Sequence, residues 1–373
     1  MSVVISGTGL YTPQQVISND ELVESFNRYV TQFNLKHQAK IEAGLCQALE
    51  PSSAEFIEKA SGIKQRYVID KIGILDTDRM RPSIPARADE AISLQCEMSM
   101  TAIYQALDHA HLTPADVDGI IVACSNYQRA YPALAIEIQQ QLQCGGFGFD
   151  MNVACSSATF GIATGKSFIE SGQCKTVLVV SPEICSGHLD FTNRDSHFIF
   201  GDACTAVVLQ DESTVTVPHF KIIGTQLDTQ YSNHIRNNNG FLTHAETKNN
   251  QPTPLHLFYQ QGRKVFKEVT PLVVEHIHRH LHNLNISADS LKRFWLHQAN
   301  KTMNELICKR ILNKNFEEQF APIILDQYAN TSSAGSIICF HLHHVDFTAG
   351  DQGLICSFGA GYSVGSVTIE KVD

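Results

Sequence analysis

The sequence predicts an α/β protein whose sheets are covered by helices, and three observations support this fold class. Short runs of apolar and β-branched residues alternate with longer segments of helical apolar spacing along most of the chain. Turn-forming residues, mainly Gly, Pro, Asn and Asp, stand between these segments. The second half of the chain repeats the order of the first. With 373 residues, 43% hydrophobic and 18% charged, the chain is long enough to bury a large core.

The first half opens with a strand that begins at Val3 and is closed by the turn residues Gly7-Thr8-Gly9. Asn19-Asp20 then predicts the N-terminal cap of a helix. Residues 28–85 are less regular, and we interpret them as an inserted cap region. The remaining segments alternate as a helix over 91–112, a strand over 119–124, a helix over 132–142, an apolar segment over 147–151, a helix ending at 169, and strands over 176–180 and 205–209.

The second half follows a polar, Asn-rich bridge over residues 232–254. Its pattern predicts a long helix over 255–284, a strand over 294–296, a helix ending at 312, and closing strands over 353–357 and 364–369. Two halves of similar order indicate an internal duplication. We therefore predict an N-terminal half over residues 1–215 and a C-terminal half over 216–373.

Charge and cysteine usage exclude several classes of protein. The formal net charge is -10 and the acidic residues are dispersed, so nothing indicates nucleic-acid binding. The start of the chain does not have the features of a secretory signal, and no apolar run reaches the roughly 18 residues of a membrane span. Eleven cysteines are scattered without a Cys-x-x-Cys pair, and the run His341-Leu342-His343-His344 has no nearby ligand partner. We expect a cytoplasmic protein without a metal.

The stretch Asn152-Val153-Ala154-Cys155-Ser156-Ser157-Ala158 joins a strand-like segment to a helix of small residues. A thiol at a helix N-terminus is expected to have a pKa below its usual value of about 8.5, because the helix dipole and free N–H groups favour the thiolate. A thiolate attacks a thioester and forms another thioester of similar energy. Cys155 is therefore the predicted nucleophile of an acyl transfer, although a buried structural cysteine is the alternative for any isolated Cys.

Three further motifs accompany this cysteine. His297 follows the hydrophobic segment Trp295-Leu296, at the end of a strand where α/β sheets build their sites. Asn330 precedes a helix of small residues, where it serves equally as an ordinary cap or turn residue. The turn Gly359-Ala360-Gly361 allows the main chain to approach a ligand closely and to donate an N–H to an oxyanion.

Together these motifs resemble β-ketoacyl-acyl-carrier-protein synthase III, a thiolase-fold condensing enzyme, along essentially the whole chain except the region around 28–52. The resemblance implies a thiolase-like, five-layered αβαβα fold made of two pseudo-duplicated halves, usually as a homodimer. It implies that Cys155 takes the acyl primer and that His297 and Asn330 bind the thioester carbonyl of malonyl-acyl carrier protein. The N–H groups of Cys155 and Ala360 would form the oxyanion hole. The expected partners are acyl carrier protein and acyl-coenzyme A, the latter as substrate, with no resident cofactor.

The resemblance is weaker at the substrate-binding positions. Acetyl-primed members hold the adenine of coenzyme A between a tryptophan and an arginine; here Phe56 can still stack, but Ala60 cannot. Thr302 stands where those members have an arginine soon after the catalytic histidine. Substrate-binding positions that remain are Phe266, the cations Arg263 and Lys267, and Tyr131, which matches an aromatic residue that enters the partner's acyl pocket. These departures predict a primer longer than acetyl.

Other functions compete with this interpretation. A thiolase needs a second cysteine near the C-terminal glycine turn, and Cys356 lies before Gly359, in the wrong place. An alkylquinolone-type or hydroxymethylglutaryl-coenzyme A-type synthase stays open within the fold. A cysteine hydrolase would also use Cys155, His297 and Asn330 in this chain order, but the glycine and Asn-Thr-Ser-Ser motifs disfavour it. A noncatalytic subunit would not retain all three residues.

Overall fold

The computed structural model describes residues 2–240 and 257–373. The strands are β1 Val3–Tyr11, β2 Gln15–Ser18, β3 Gln65–Val68, β4 Gly119–Ala123, β5 Phe147–Met151, β6 Thr176–Ile184, β7 Asp202–Asp211, β8 His219–Ser232, β9 Ile235–Asn237, β10 Phe258–Gln260, β11 Arg293–Leu296, β12 Gln352–Gly359 and β13 Gly361–Val372. The helices are α1 Asn19–Lys36, α2 Gln38–Glu42, α3 Ala54–Ser61, α4 Lys71–Leu75, α5 Leu94–His109, α6 Leu134–Leu142, α7 Ser157–Glu170, α8 Gly262–Asn283, α9 Lys301–Leu312, α10 Leu325–Tyr328 and α11 Ala334–Leu342.

Nine strands form one continuous sheet in the order β11-β12-β13-β8-β1-β7-β6-β4-β5. Its two halves meet where β1 pairs antiparallel with β8, with Val4 opposite Lys221 and Ile5 opposite Phe220. In the first half β4 pairs in parallel with β5 and β6, and in the second half β11 pairs in parallel with β12. Both halves therefore contain the parallel pairing that strand–helix–strand units produce.

Helices α7 and α11 lie in the middle of the molecule and contact strands of both halves of the sheet. Helices α5 and α6 cover the first half on the outside, and α8 covers the second half with α9 beside it. This arrangement is the predicted five-layered αβαβα fold. Close approach of α7 depends on glycine, because a Cβ on Gly161 or Gly165 would lie 2.8 Å from the side chain of Val179 or Leu209, respectively.

One buried apolar cluster joins the two halves, since it includes Ile5 and Val207 from the first half and Trp295 and Ile337 from the second. The Trp295 side chain is fully buried, and its indole N–H donates to the carbonyl oxygen of His343 at 3.1 Å. The core therefore does not divide into two independent units. The predicted division after residue 215 falls in the connection between β7 and β8.

The cap region is more regular than predicted. Helix α1 runs through Arg28 to Lys36, and its N-cap is Ser18 in a capping box with Glu21, not Asn19. Arg66, on β3, is buried and donates to the carbonyl of Ile17, to Asn19 Oδ1 and to the carbonyl of Phe198. These bonds attach the cap region to the body of the protein.

The strand β8 was not predicted, because only its first residues are buried and the rest alternate weakly between half-buried and exposed positions. The predicted start of the long helix at residue 255 lies outside the described residues, and α8 is described from Gly262. Residues 241–254 of the predicted bridge also lie outside them, whereas its beginning forms the end of β8 and β9.

Two further findings concern membrane-spanning helices and the state of the cysteines. In the described ranges, no helix has the length and apolarity required to cross a membrane. All eleven cysteines are free thiols.

Candidate active site

Cys155 lies where β5 ends and α7 begins, in a single 3-10 turn over Ala154–Ser156. Ala154 has a φ of 48°, a left-handed conformation that side chains rarely adopt. The turn is held by Asn152, whose Oδ1 accepts the Ala154 N–H at 2.9 Å, and by Ser157, whose Oγ accepts the Val153 N–H at 2.8 Å. These local bonds present the Cys155 side chain at the start of the helix, as predicted.

The sulfur of Cys155 lies close to two other segments. Ser332 Oγ is 3.6 Å from Cys155 Sγ. At Gly359 a Cβ would lie 2.9 Å from Sγ, closer than any real contact allows. Gly359 must therefore lack a side chain for the cysteine to occupy this position.

Burial raises the pKa of the Cys155 thiol to about 11. The nearby carboxylate of Glu183 raises it further, whereas the Ser332 hydroxyl and the main-chain N–H groups of Ala360 and Cys155 oppose the rise. The predicted low pKa is therefore wrong for the free protein, because desolvation outweighs the N–H donors.

His297 is positioned by the main chain around it. Its N–H donates to the carbonyl of Cys356 at 2.8 Å, and its carbonyl accepts from Asn304 Nδ2 at 3.0 Å. The imidazole packs edge-on against Phe358, with 5.3 Å between ring centroids. Burial lowers the pKa of His297 to about 4, so the ring is neutral at pH 7. Within the described part of the chain, its buried Nδ1 has no hydrogen-bond partner.

Asn330 is held by an isolated parallel bridge with Phe200. Its Oδ1 accepts the N–H of Ser332 at 2.9 Å. Because that oxygen is occupied, the amide NH2 group remains available as a donor for a ligand.

Cys155, His297 and Asn330, which lie far apart in sequence, line one cavity of about 590 Å³. Four predicted substrate-binding residues line the same cavity: Phe56, Phe266, Arg263 and Lys267. Its walls are largely aromatic and aliphatic, contributed by Phe198, Ile199, Phe200, Ile235, Phe258, Val265, Val269, Met303 and Phe358. Tyr131 does not line the cavity of its own chain, and its side chain is 82% exposed.

Sequence reasoning missed two residues around this site, Ser332 and Arg194. Ser332 belongs to the Asn330 motif but was given no role, whereas the segment that contains Glu183 was expected to be structural. Glu183 accepts from the N–H and hydroxyl of Ser125 at 2.9 and 2.6 Å and from the N–H and hydroxyl of Ser333. The guanidinium of Arg194 lies 4.2 Å from the centre of the Phe56 ring. Because the two residues are far apart in the sequence, no local pattern indicates this pairing.

The structure contains no cluster of His, Cys, Asp and Glu arranged to hold a metal among residues 2–240 and 257–373. In the histidine run, His341 Nδ1 bonds Thr8 Oγ1 at 2.8 Å and His344 Nδ1 bonds the carbonyl of Phe340 at 2.9 Å. These two imidazole rings therefore take part in hydrogen bonds within the fold.

Comparisons with known proteins identify the family of the chain. Residues 149–230 match the family model of 3-oxoacyl-[acyl-carrier-protein] synthase III, and residues 281–371 match that of its C-terminal part. The chain is similar to a β-ketodecanoyl-[acyl-carrier-protein] synthase of Pseudomonas aeruginosa, with 53% identity over 94% of this chain and 100% of the relative. It is 27% identical to a β-ketoacyl-[acyl-carrier-protein] synthase III of Granulibacter bethesdensis over 98% of each chain.

The fold agrees as well. The crystal structure of 3-oxoacyl-[acyl-carrier-protein] synthase III from Aquifex aeolicus superposes with a TM-score of 0.76 over 99% of both chains, at 24% identity. Half of the residues are shared with a relative that spans nearly the whole chain. The chain therefore belongs to the β-ketoacyl-acyl-carrier-protein synthase III family of condensing acyltransferases in fatty-acid biosynthesis.

Proposed function

We propose that this protein loads a medium-chain acyl primer onto Cys155 and condenses it with malonyl-acyl carrier protein, releasing carbon dioxide and a β-ketoacyl-acyl carrier protein. The observation that carries the proposal is that Cys155, His297 and Asn330 line one largely apolar cavity. The β-ketodecanoyl name of the 53% identical relative supports the primer length. Because each condensation adds two carbons, a ten-carbon product requires an eight-carbon primer, octanoyl thioester.

In the first step the Cys155 thiolate attacks the primer's thioester carbonyl. A carbon–sulfur bond forms to Cys155, the bond to the leaving thiol breaks, and the proton lost by Cys155 ends on that thiol. The N–H groups of Cys155 and Ala360 stabilise the oxyanion of the tetrahedral intermediate. Gly359, the residue before Ala360, packs directly against Cys155, which supports a place for the Ala360 N–H beside the acyl group. Removing one such donor typically slows a reaction about a hundredfold or more.

In the second step His297 and Asn330 bind the thioester oxygen of the malonyl group. Both donate hydrogen bonds, so the negative charge that develops on that oxygen as carbon dioxide leaves is stabilised without proton removal from carbon. A neutral imidazole suits this role, since burial keeps His297 uncharged at pH 7. The carbanion then attacks the acyl group on Cys155, and the cysteine leaves as a thiolate.

The cavity mouth supports delivery on an acidic carrier. Arg263, Lys264 and Lys267 lie near the start of α8 and line the cavity, where they would meet phosphates of coenzyme A or acidic side chains of the carrier protein. Phe56 and Arg194 are stacked on each other, so an adenine ring enters between them only if they separate. We propose no resident cofactor, and coenzyme A acts as the carrier of the substrate.

We further propose that the protein acts as a homodimer in the cytoplasm. Strand β5 is the last strand of the sheet, and the nearby Tyr131 and Ile136 side chains are 82% and 48% exposed. A symmetric dimer through this edge would cover them and bring Tyr131 towards the partner. Eleven free thiols favour a reducing compartment. Light scattering of the purified protein tests the dimer, and a monomer would refute it.

Assaying acetyl- to dodecanoyl-coenzyme A with malonyl-acyl carrier protein tests the primer. We expect the highest kcat/KM at eight carbons, with the ten-carbon β-ketoacyl product seen by mass spectrometry. Cys155→Ala is the matched control and should form no product. A preference for acetyl would refute the medium-chain primer, and product formation by Cys155→Ala would refute the nucleophile.

A further inference from the structure

Ser332 contacts both Cys155 and Asn330, which lie on different segments of the chain. It is buried, with 3% of the residue exposed, and its φ of 50° lies in the left-handed region. Serine adopts this conformation at a cost, so the surrounding structure must impose it. The next residue, Ser333, supplies that constraint because its N–H donates to the buried Glu183 at 3.1 Å and its hydroxyl donates to the same carboxylate.

The left-handed conformation directs the two polar groups of Ser332 to different partners. Its main-chain N–H donates to Asn330 Oδ1 at 2.9 Å, while its hydroxyl lies 3.6 Å from Cys155 Sγ. The first bond fixes which end of the Asn330 amide is free, leaving the NH2 group for the malonyl oxygen. The second bond reaches the nucleophile itself.

The other groups facing the sulfur do not replace this hydroxyl. Glu183, on β6, raises the pKa of Cys155, and Cys185 just after β6 is a buried thiol. His297, which lines the same cavity, is neutral at pH 7 because burial lowers its pKa to about 4. Among the groups that lower the Cys155 pKa, the Ser332 hydroxyl has the largest effect, ahead of the Ala360 and Cys155 N–H groups.

We propose that Ser332 is a further catalytic residue: its hydroxyl donates a hydrogen bond to the Cys155 sulfur and stabilises the thiolate that attacks the primer. The O–H bond stays intact throughout, so Ser332 transfers no proton. In the tetrahedral intermediate the N–H groups of Cys155 and Ala360 stabilise the acyl oxyanion, whereas the Ser332 hydroxyl supports the sulfur both when it attacks and when it leaves. This inference rests on the proposed role of Cys155 as nucleophile.

Alkylation of Cys155 by iodoacetamide tests the inference without any substrate. The rate would be followed at pH 7 to 9 by mass spectrometry of the Cys155 peptide, in the wild type and in Ser332→Ala and Ser332→Gly. Below the thiol pKa the alkylation rate follows the thiolate fraction and rises about tenfold per pH unit. Loss of the hydrogen bond should raise the thiol pKa, so the alkylation rate at each pH should fall by about tenfold. Ser332→Gly accepts the left-handed backbone freely and separates loss of the hydroxyl from backbone strain.

Thr331→Val is the matched control, because the neighbouring Thr331 hydroxyl is equally buried but has no hydrogen-bond partner in the described ranges. Its alkylation profile should coincide with that of the wild type. Wild-type profiles in both Ser332 variants would overturn the inference and leave the proposed function intact. A Cys155 that no acyl-coenzyme A can acylate would instead refute the proposed function.

A second measurement excludes a merely structural effect. Carbon dioxide release from malonyl-acyl carrier protein is compared between Cys155→Ala and the double variant Cys155→Ala/Ser332→Gly. Because the Ser332 N–H to Asn330 persists in glycine, decarboxylation should fall far less than the tenfold loss in alkylation. An equal loss of both would show that the substitution distorts the site and would overturn the inference.

Discussion

Asn330 lies opposite Phe200 in a parallel bridge, because the Asn330 N–H donates to the Ile199 carbonyl and the Asn330 carbonyl accepts from the Gly201 N–H, both at 3.0 Å. Phe200 lines the cavity and packs edge-on against Phe258, with 4.7 Å between ring centroids. The segment that shapes the apolar wall is therefore attached to the segment that carries the Asn330 amide. A change in the wall at Phe200 is expected to affect the placement of Asn330 as well.

Asn330→Ala should reduce carbon dioxide release from malonyl-acyl carrier protein by about a hundredfold or more, because one of two donors to the enolate oxygen is lost. The measurement is the initial rate of release, with acylation of Cys155 by octanoyl-coenzyme A followed in parallel. We expect acylation to be much less affected. Cys155→Ala is the reciprocal control: it should lose condensation but still release carbon dioxide. Undiminished release by Asn330→Ala would refute the role assigned to the amide.

Gly359→Ala should abolish acylation, because the new Cβ would lie 2.7 Å from the Cβ and 2.9 Å from the Sγ of Cys155. Either the nucleophile or the turn at Ala360 must move. Octanoylation of the protein, measured by intact mass, should be lost. Gly145→Ala is the control, since a Cβ there meets nothing within 4 Å. Normal octanoylation of Gly359→Ala would show that the site is less tightly packed than the structure indicates.

Glu183→Ala should destabilise the protein by about 3 kcal/mol or more, because two buried donors of Ser333 and two half-buried donors of Ser125 lose their acceptor. The free energy of unfolding would be measured by urea denaturation. Exposed Glu24, which forms a surface ion pair with Arg28, provides the control, and Glu24→Ala should change stability by less than about 1 kcal/mol. Similar effects of the two substitutions would contradict the structural role of Glu183.

Stability should fall as the pH drops below about 6.5. Burial lowers the pKa of five histidines to about 4, namely His188, His197, His280, His297 and His341. The unfolded chain takes up these protons near pH 6.5. The folded protein takes them up only near pH 4, so each histidine contributes stability above 6.5 that is lost between 6.5 and 4, at up to about 1.4 kcal/mol per pH unit.

Three carboxyl groups act in the opposite direction, because burial raises the pKa of Asp150, Glu183 and Asp202. Burial raises the pKa of Asp202 to about 6, so the folded protein binds this proton before the unfolded chain does, and stability rises as the pH falls. Three such carboxyl groups offset only part of the loss from five histidines. Urea midpoints measured between pH 7.5 and 4.5 should therefore decrease steadily. A constant or rising midpoint would show that these imidazoles are protonated in the folded protein.

Local patterns in the sequence predicted most of the elements. The buried strand over 176–180 and the helix start after Cys155 have strong local signals, because apolar runs and small residues at a turn report burial directly. Strand β8 was missed because its more exposed half alternates only weakly, and its pairing with β13 and β1 is a long-range property. The predicted low pKa of Cys155 was wrong for the same kind of reason: a helix start is visible in the sequence, but burial beside Glu183 is not.

The sequence by itself determined the α/β class, the nucleophile turn at Cys155 and the candidate partners His297 and Asn330, since each depends on residue types at short separation. Only the tertiary structure decided that these residues share one cavity, that Arg194 covers Phe56 and that Ser332 touches the sulfur. The Ser332 contact spans 177 residues and arises from the packing of α7 and α11 between two halves of a sheet. Side-chain contacts of this kind depend on how separate elements pack, which no local pattern of residues specifies.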